Sequence, residues 1–179
     1  MGFIPYSTDR TLYYEMIDGD PEHPVLVFLH EGLGCSLMWQ DFAQTLCRKT
    51  NHPGLMYDRT GYGRSSALSR QRTLKYLHDY AHLELAFVLE SLVPGRSFFL
   101  IGHSDGGSIS LLFGSEQPER LCGIITEAAH IFVEQMTLDG IKTAKTAFEQ
   151  GKLNGLHRYH GDKTRDTFAA WSDTWLSPA

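Results

Sequence analysis

Phe98-Phe99-Leu100-Ile101-Gly102-His103-Ser104-Asp105-Gly106-Gly107 joins an apolar run to a helical pattern through Gly-x-Ser-x-Gly. A change from strand to helix over so few residues predicts a sharp turn with Ser104 at its apex, the sequence form of a nucleophile elbow. Such a turn leaves no room for side chains beside the serine, and Gly102 and Gly106 have no Cβ. It would lift the Ser104 hydroxyl above the carboxyl end of a strand. It would also set it at the start of a helix, where backbone N–H groups lack partners within the helix.

Working outward, Leu12 to Ile17 reads as a strand closed by the turn Asp18-Gly19-Asp20-Pro21. Pro24 to Leu29 is apolar without alternation, as in a strand covered on both faces, and His30-Glu31-Gly32-Leu33-Gly34 follows as a loop. Met38, Trp39, Phe42, Ala43, Leu46 and Cys47 recur at helical spacing. Gly54 to Tyr57 is a short strand that runs into the turn-rich Asp58-Arg59-Thr60-Gly61-Tyr62-Gly63-Arg64-Ser65-Ser66. Leu77, Ala81, Leu85, Val88 and Leu92 mark a helix that Pro94-Gly95 ends. Beyond the elbow, Ile109, Leu112 and Phe113 mark the next helix and Leu121 to Thr126 the last strand. Strands alternating with helices imply right-handed crossovers and a mostly parallel α/β sheet flanked by helices. After Glu127 only helical patterns remain, around Leu138, Ile141, Ala144 and Phe148, around Leu153 to Tyr159, and around Phe168, Trp171 and Trp175. This predicts a core over 1–127 and a helical cap over 128–179.

Three loops thus leave the carboxyl ends of strands, the edge at which open parallel sheets bind ligands. His30-Glu31-Gly32-Leu33-Gly34, Asp58-Arg59-x-Gly61-x-Gly63-x-Ser65 and Gly102-His103-Ser104-Asp105-Gly106 come in an order and spacing that resemble the α/β-hydrolase superfamily. The resemblance covers about residues 10 to 127 and extends more loosely through the cap. It implies a serine hydrolase without cofactor or metal, with Ser104 as nucleophile forming an acyl-enzyme. The oxyanion hole would be the amide of Asp105 with that of Gly32 or Leu33, Gly32 being favoured by the family pattern. The substrate class is a small ester, thioester, amide or carbon–carbon bond beside a carbonyl. The cap residues Phe148, Phe168, Trp171 and Trp175 imply an apolar pocket.

The resemblance also implies an acid and then a histidine after the serine, each following a further strand. No such strand is legible before Ala179, so the chain reads as the N-terminal part of a longer hydrolase. Within it, the candidates are His130 as base with Glu127, or alternatively Glu134, as acid. Without a working base the chain would be a weak catalyst. The alternative is a non-catalytic fragment or pseudo-enzyme that binds a ligand or partner. A bare apolar Leu121–Thr126 edge would favour homo-oligomers that cover it.

The remaining candidates take structural readings. His30, Asp58 and Arg59 are expected to organise loops, His103 to pack in the elbow, and Glu31 to point away from the oxyanion site. His78-x-x-x-His82 and His157-x-x-His160 read as solvated helix faces, since neither has a third ligand. A net charge of −5 without any charged block argues against nucleic acid. Cys35, Cys47 and Cys122 are few, odd in number and far apart, as for free thiols in the cytoplasm. The apolar runs are far shorter than a membrane span, so the expected partner is a small-molecule substrate.

Overall fold

The computed structural model describes residues 1–178. One sheet of six strands has the order β1-β2-β4-β3-β5-β6, with β1 Gly2–Ser7, β2 Arg10–Ile17, β3 Val25–Leu29, β4 Gly54–Tyr57, β5 Phe98–His103 and β6 Leu121–Glu127. β1, β2 and β4 pair antiparallel, while β4, β3, β5 and β6 run parallel. Every residue of β3 and β4 is buried, as the unbroken apolar runs require. Alternate residues of β3 serve opposite layers. Val25, Val27 and Leu29 join Leu55, Tyr57, Leu100, Leu85, Val88 and Ile109 in one core. Leu26 and Phe28 join Met56, Ile101, Ala43 and Cys47 in the other. At about 1.5–3 kcal/mol for each large apolar side chain buried, this central strand anchors both layers.

The first strand is β1, ahead of the one legible from Leu12 onward. Its Ile4 and Tyr6 pack against the core while Phe3 and Pro5 face outward. Pro5 weakens the strand signal in the sequence, yet an edge strand tolerates a proline. At the opposite edge β6 pairs with β5 alone.

On one side of the sheet lies α1 (Phe42–Thr50). On the other, α2 (Tyr76–Asp79), a π-helical turn (Tyr80–Leu85) and α3 (Ala86–Leu92) form one continuous rod beside α4 (Asp105–Ser115). The rod buries Tyr76, Tyr80 and Glu84 as well as its aliphatic stripe. The cap helices are α5 (Gln135–Glu149), α6 (His157–His160) and α7 (Thr164–Trp175). Three of their aromatics pack on one another, and Phe148 and Phe168 also line a surface cavity between α5 and α7. The Phe148 and Phe168 rings stack at 4.0 Å, with Trp171 edge-on to Phe168 at 5.7 Å.

Candidate active site

The elbow is formed as its glycines predict. Ser104 sits between β5 and α4 with φ 51° and ψ −118°, a backbone that L side chains rarely adopt. A Cβ on Gly106 would strike the carbonyls of Leu29 and His30 at the end of β3, and one on Gly102 would strike the backbone of Gly106. The absence of both Cβ atoms therefore lets α4 start directly against the sheet. The Ser104 amide donates to the Glu127 carbonyl at 2.8 Å, which ties the turn to the end of β6.

Gly32 lies close to Asp105, the residue after Ser104. Asp105 is the first residue of α4, where amides have no intrahelical acceptor. Among the described residues, no protein acceptor takes the amide hydrogens of Gly32 or Leu33. Gly32 is also buried, because the Trp171 indole of α7 lies against it; a Cβ there would come 2.7 Å from Trp171 Cδ1. The Asp105 carboxylate is turned inward and accepts the Tyr76 hydroxyl at 2.9 Å. Burial and this neighbouring carboxylate raise the Tyr76 pKa well above its ordinary value.

The loop after β3 is braced from beneath by Arg59. Its guanidinium donates to the His30 carbonyl at 2.5 Å and to the Glu31 carbonyl at 2.9 Å, and it lies over the rings of Tyr62 and Tyr80. His30 accepts the Arg59 amide on Nε2 at 3.2 Å and meets the Glu31 carbonyl through Nδ1 at 2.8 Å. Nδ1 therefore carries the proton and the ring is neutral. Burial, reinforced by the Arg59 charge, holds its pKa well below the ordinary histidine value. Asp58 spans two loops by accepting the amides of Ser36 at 2.6 Å and Arg64 at 2.8 Å. Glu31 folds back over Gly34, with one carboxylate oxygen 3.7 Å from His103 Nδ1.

The candidate base and acid are placed less tightly. Both the amide and the carbonyl of His130 bond to the Ser108 hydroxyl, at 2.9 and 2.8 Å, one turn along α4 from Ser104. The His130 ring meets Trp175 edge-on at 5.4 Å, and its Nδ1 lies 4.0 Å from Glu134 Oε2. The Glu127 side chain is exposed. Among the described residues, no hydrogen bond joins the Ser104 hydroxyl to an imidazole, and no group of three metal-binding side chains occurs. Burial pushes the Cys35 thiol up to about 12 and the Cys47 thiol to about 11, which leaves both unreactive.

Two functional-looking groups escape the sequence reading. Glu84, in the π-helical turn, is buried and accepts the Thr60 amide at 3.2 Å and the Thr60 hydroxyl at 2.5 Å. Burial lifts its pKa to about 7 against the opposing pull of those bonds and of Arg59. His160 is 3% exposed and is not on a solvated face. It accepts the Gly63 amide on Nδ1 at 3.0 Å and meets the Leu33 carbonyl through Nε2 at 2.9 Å. Helical spacing in α6 could not reveal this, because both partners lie about 100 or more residues upstream.

A family model described as the alpha/beta hydrolase fold matches residues 24–178. A 2-succinyl-6-hydroxy-2,4-cyclohexadiene-1-carboxylate synthase from Enterobacter sp. (strain 638) is 26% identical over 155 residues, covering 86% of this chain and 54% of its own. A proline iminopeptidase from Lactobacillus helveticus (strain DPC 4571) is 31% identical over 126 residues, covering 70% of this chain and 41% of its own. The chain thus spans about half the length of the curated relatives it matches. A solved structure from a study of the carboxylesterases of Nitrososphaera gargenis superposes with a TM-score of 0.73 at 24% identity, over 98% of this chain and 72% of that one. Elbow, sheet order and family match agree, and the chain belongs to the α/β-hydrolase fold family.

Proposed function

We propose that the chain carries the nucleophile half of a serine hydrolase. One observation supports this above others: Ser104 is held at positive φ at the head of α4, beside Gly32, whose buried amide has no protein acceptor among the described residues. Ser104 Oγ attacks the substrate carbonyl, and the developing oxyanion takes hydrogen bonds from Asp105 and from Gly32 or Leu33. Collapse of the tetrahedral intermediate expels the leaving group, and water releases the acyl group. The substrate class is a small ester, thioester, amide or carbon–carbon bond beside a carbonyl. Relatives named as a peptidase and as a synthase support that breadth.

Proton transfer falls to the segment after β6. His130, oriented by Glu134 or Glu127, is the base this chain offers, and its ring stands edge-on to Trp175. The 179-residue chain is therefore a slow catalyst that relies on its oxyanion hole, which in a well-studied serine protease leaves about 10³–10⁴-fold over water. A fluorophosphonate probe tests the nucleophile. Wild type should be labelled and Ser104→Ala should not, and equal labelling of the two would end this reading.

A further inference from the structure

We propose that His160 is a positioning residue for the oxyanion hole: one neutral imidazole in the cap clamps the loop after β3 to the loop after β4. The proposal rests on the serine-hydrolase reading for its catalytic consequence, but the clamp itself is geometry. Gly63 N–H donates to Nδ1, so that nitrogen carries no proton; Nε2 therefore bears the hydrogen and donates it to the Leu33 carbonyl. One ring thus fixes the tautomer, the α6 helix end and two loops together. Leu33 is also one of the two residues of that loop, with Gly32, whose amides have no protein acceptor among the described residues.

The cap grips the same loop on either side of this ring. Lys163 Nζ donates to the carbonyls of Tyr62, Gly63 and Ser65, and the Thr167 hydroxyl donates to that of Gly61 at 2.7 Å. Trp171 then lies on Gly32. His160 is the member of this set that reaches both loops, so it couples cap position to the direction of the oxyanion amides.

The clamp has a sign with pH. A proton on Nδ1 would turn the acceptor into a donor facing the Gly63 N–H, and the bond would be lost. The groups facing the ring are Lys163 from the cap, Asp58 and Tyr62 from the loop after β4, and His30 and Glu31 from the loop after β3. Burial outweighs the carboxylates and keeps the ring neutral to lower pH than an ordinary histidine. The clamp is therefore closed above the ordinary histidine range and opens as pH falls below it.

The experiment combines the rate of Ser104 labelling by a fluorophosphonate, from about pH 5 to 8, with amide hydrogen exchange over 31–35 and 61–66. At the alkaline end, His160→Leu should lower the labelling rate by roughly ten- to a hundredfold, the scale of an ångström's misplacement. It should also speed exchange at Gly63. His160→Gln, whose amide offers one acceptor and one donor at a similar spacing, should restore most of the rate and keep Gly63 protected from exchange at the acid end. A folded His160→Leu that labels and exchanges like wild type overturns the clamp. So does a His160→Gln that loses Gly63 protection at the acid end as wild type does. Should wild type fail to label at all while Gly63 exchange still answers to His160→Leu, the clamp stands and the hydrolase reading falls.

Discussion

The two flanks of Ser104 are built differently. On the side of β3 and β4, the loops are braced by buried polar groups: Arg59, Asp58, His30, Glu84 and, from the cap, His160 and Lys163. On the side of β6, the end of the strand and the segment that follows are apolar and open. Ile125 is 59% exposed, Ile131 80%, Phe132 65% and Met136 79%. The first flank holds the loop after β3 through several buried hydrogen bonds. The second carries His130 and Glu127, and there the side chains have few fixed partners. The contrast sets a braced loop after β3 against a sparsely held segment after β6.

Breaking the rigid flank should have the largest effect. Arg59→Ala leaves the carbonyls of His30 and Glu31 without these donors and removes one of the two guanidinium groups over Tyr62 and Tyr80. We expect a loss of about 3–4 kcal/mol in urea unfolding. Arg59→Lys should recover little, since a single ammonium lacks the planar fork. A loss below about 1 kcal/mol would show that the brace is ornamental.

Glu84 gives the next largest effect and makes it depend on pH. The folded state holds its proton up to about pH 7, whereas the unfolded chain releases it near the ordinary value of 4.5. Between those values the native state binds more protons, so stability falls as pH rises and levels off above about 7. The decline reaches at most about 3 kcal/mol. In Glu84→Gln this contribution should vanish, so the difference between the two proteins should shift across that window and be flat above it. A difference independent of pH would mean that Glu84 is ionised in the fold throughout.

The open flank should respond least. Ile125→Lys and Phe132→Ser touch exposed side chains, and each should change stability by no more than about 0.5 kcal/mol. Sedimentation tests the expectation that a second copy covers the β6 edge. Wild type should then associate with rising concentration and Ile125→Lys should not, whereas monomers at all concentrations would remove that expectation.

The contrast also explains what could be read from sequence. Apolar runs without alternation gave β3, β4 and β5, and glycines without room for a Cβ gave the elbow, because each signal is local. β1 was missed because its proline suppresses the strand pattern that its edge position permits. Glu84 and His160 were missed for another reason. A buried carboxyl on an otherwise apolar stripe resembles a surface residue until its partner Thr60 is seen across 24 positions. His160 meets Leu33 across 127. Residues that join distant loops leave no periodic trace.

The π-helical turn at Tyr80–Leu85 has a consequence for how this site tolerates insertion and deletion. Such a turn holds one residue more than an α-helix needs, so it absorbs that residue without changing the rotational phase of α2 relative to α3. Removing one residue there would convert the turn to regular helix and leave Tyr76 facing Asp105. Adding a residue elsewhere in the rod, with no wide turn to absorb it, would rotate α2 by about 100°. Tyr76 would then swing off Asp105, and the start of α4 would lose the hydroxyl that holds its first side chain. The rod thus tolerates a deletion at the wide turn and not an insertion beside it.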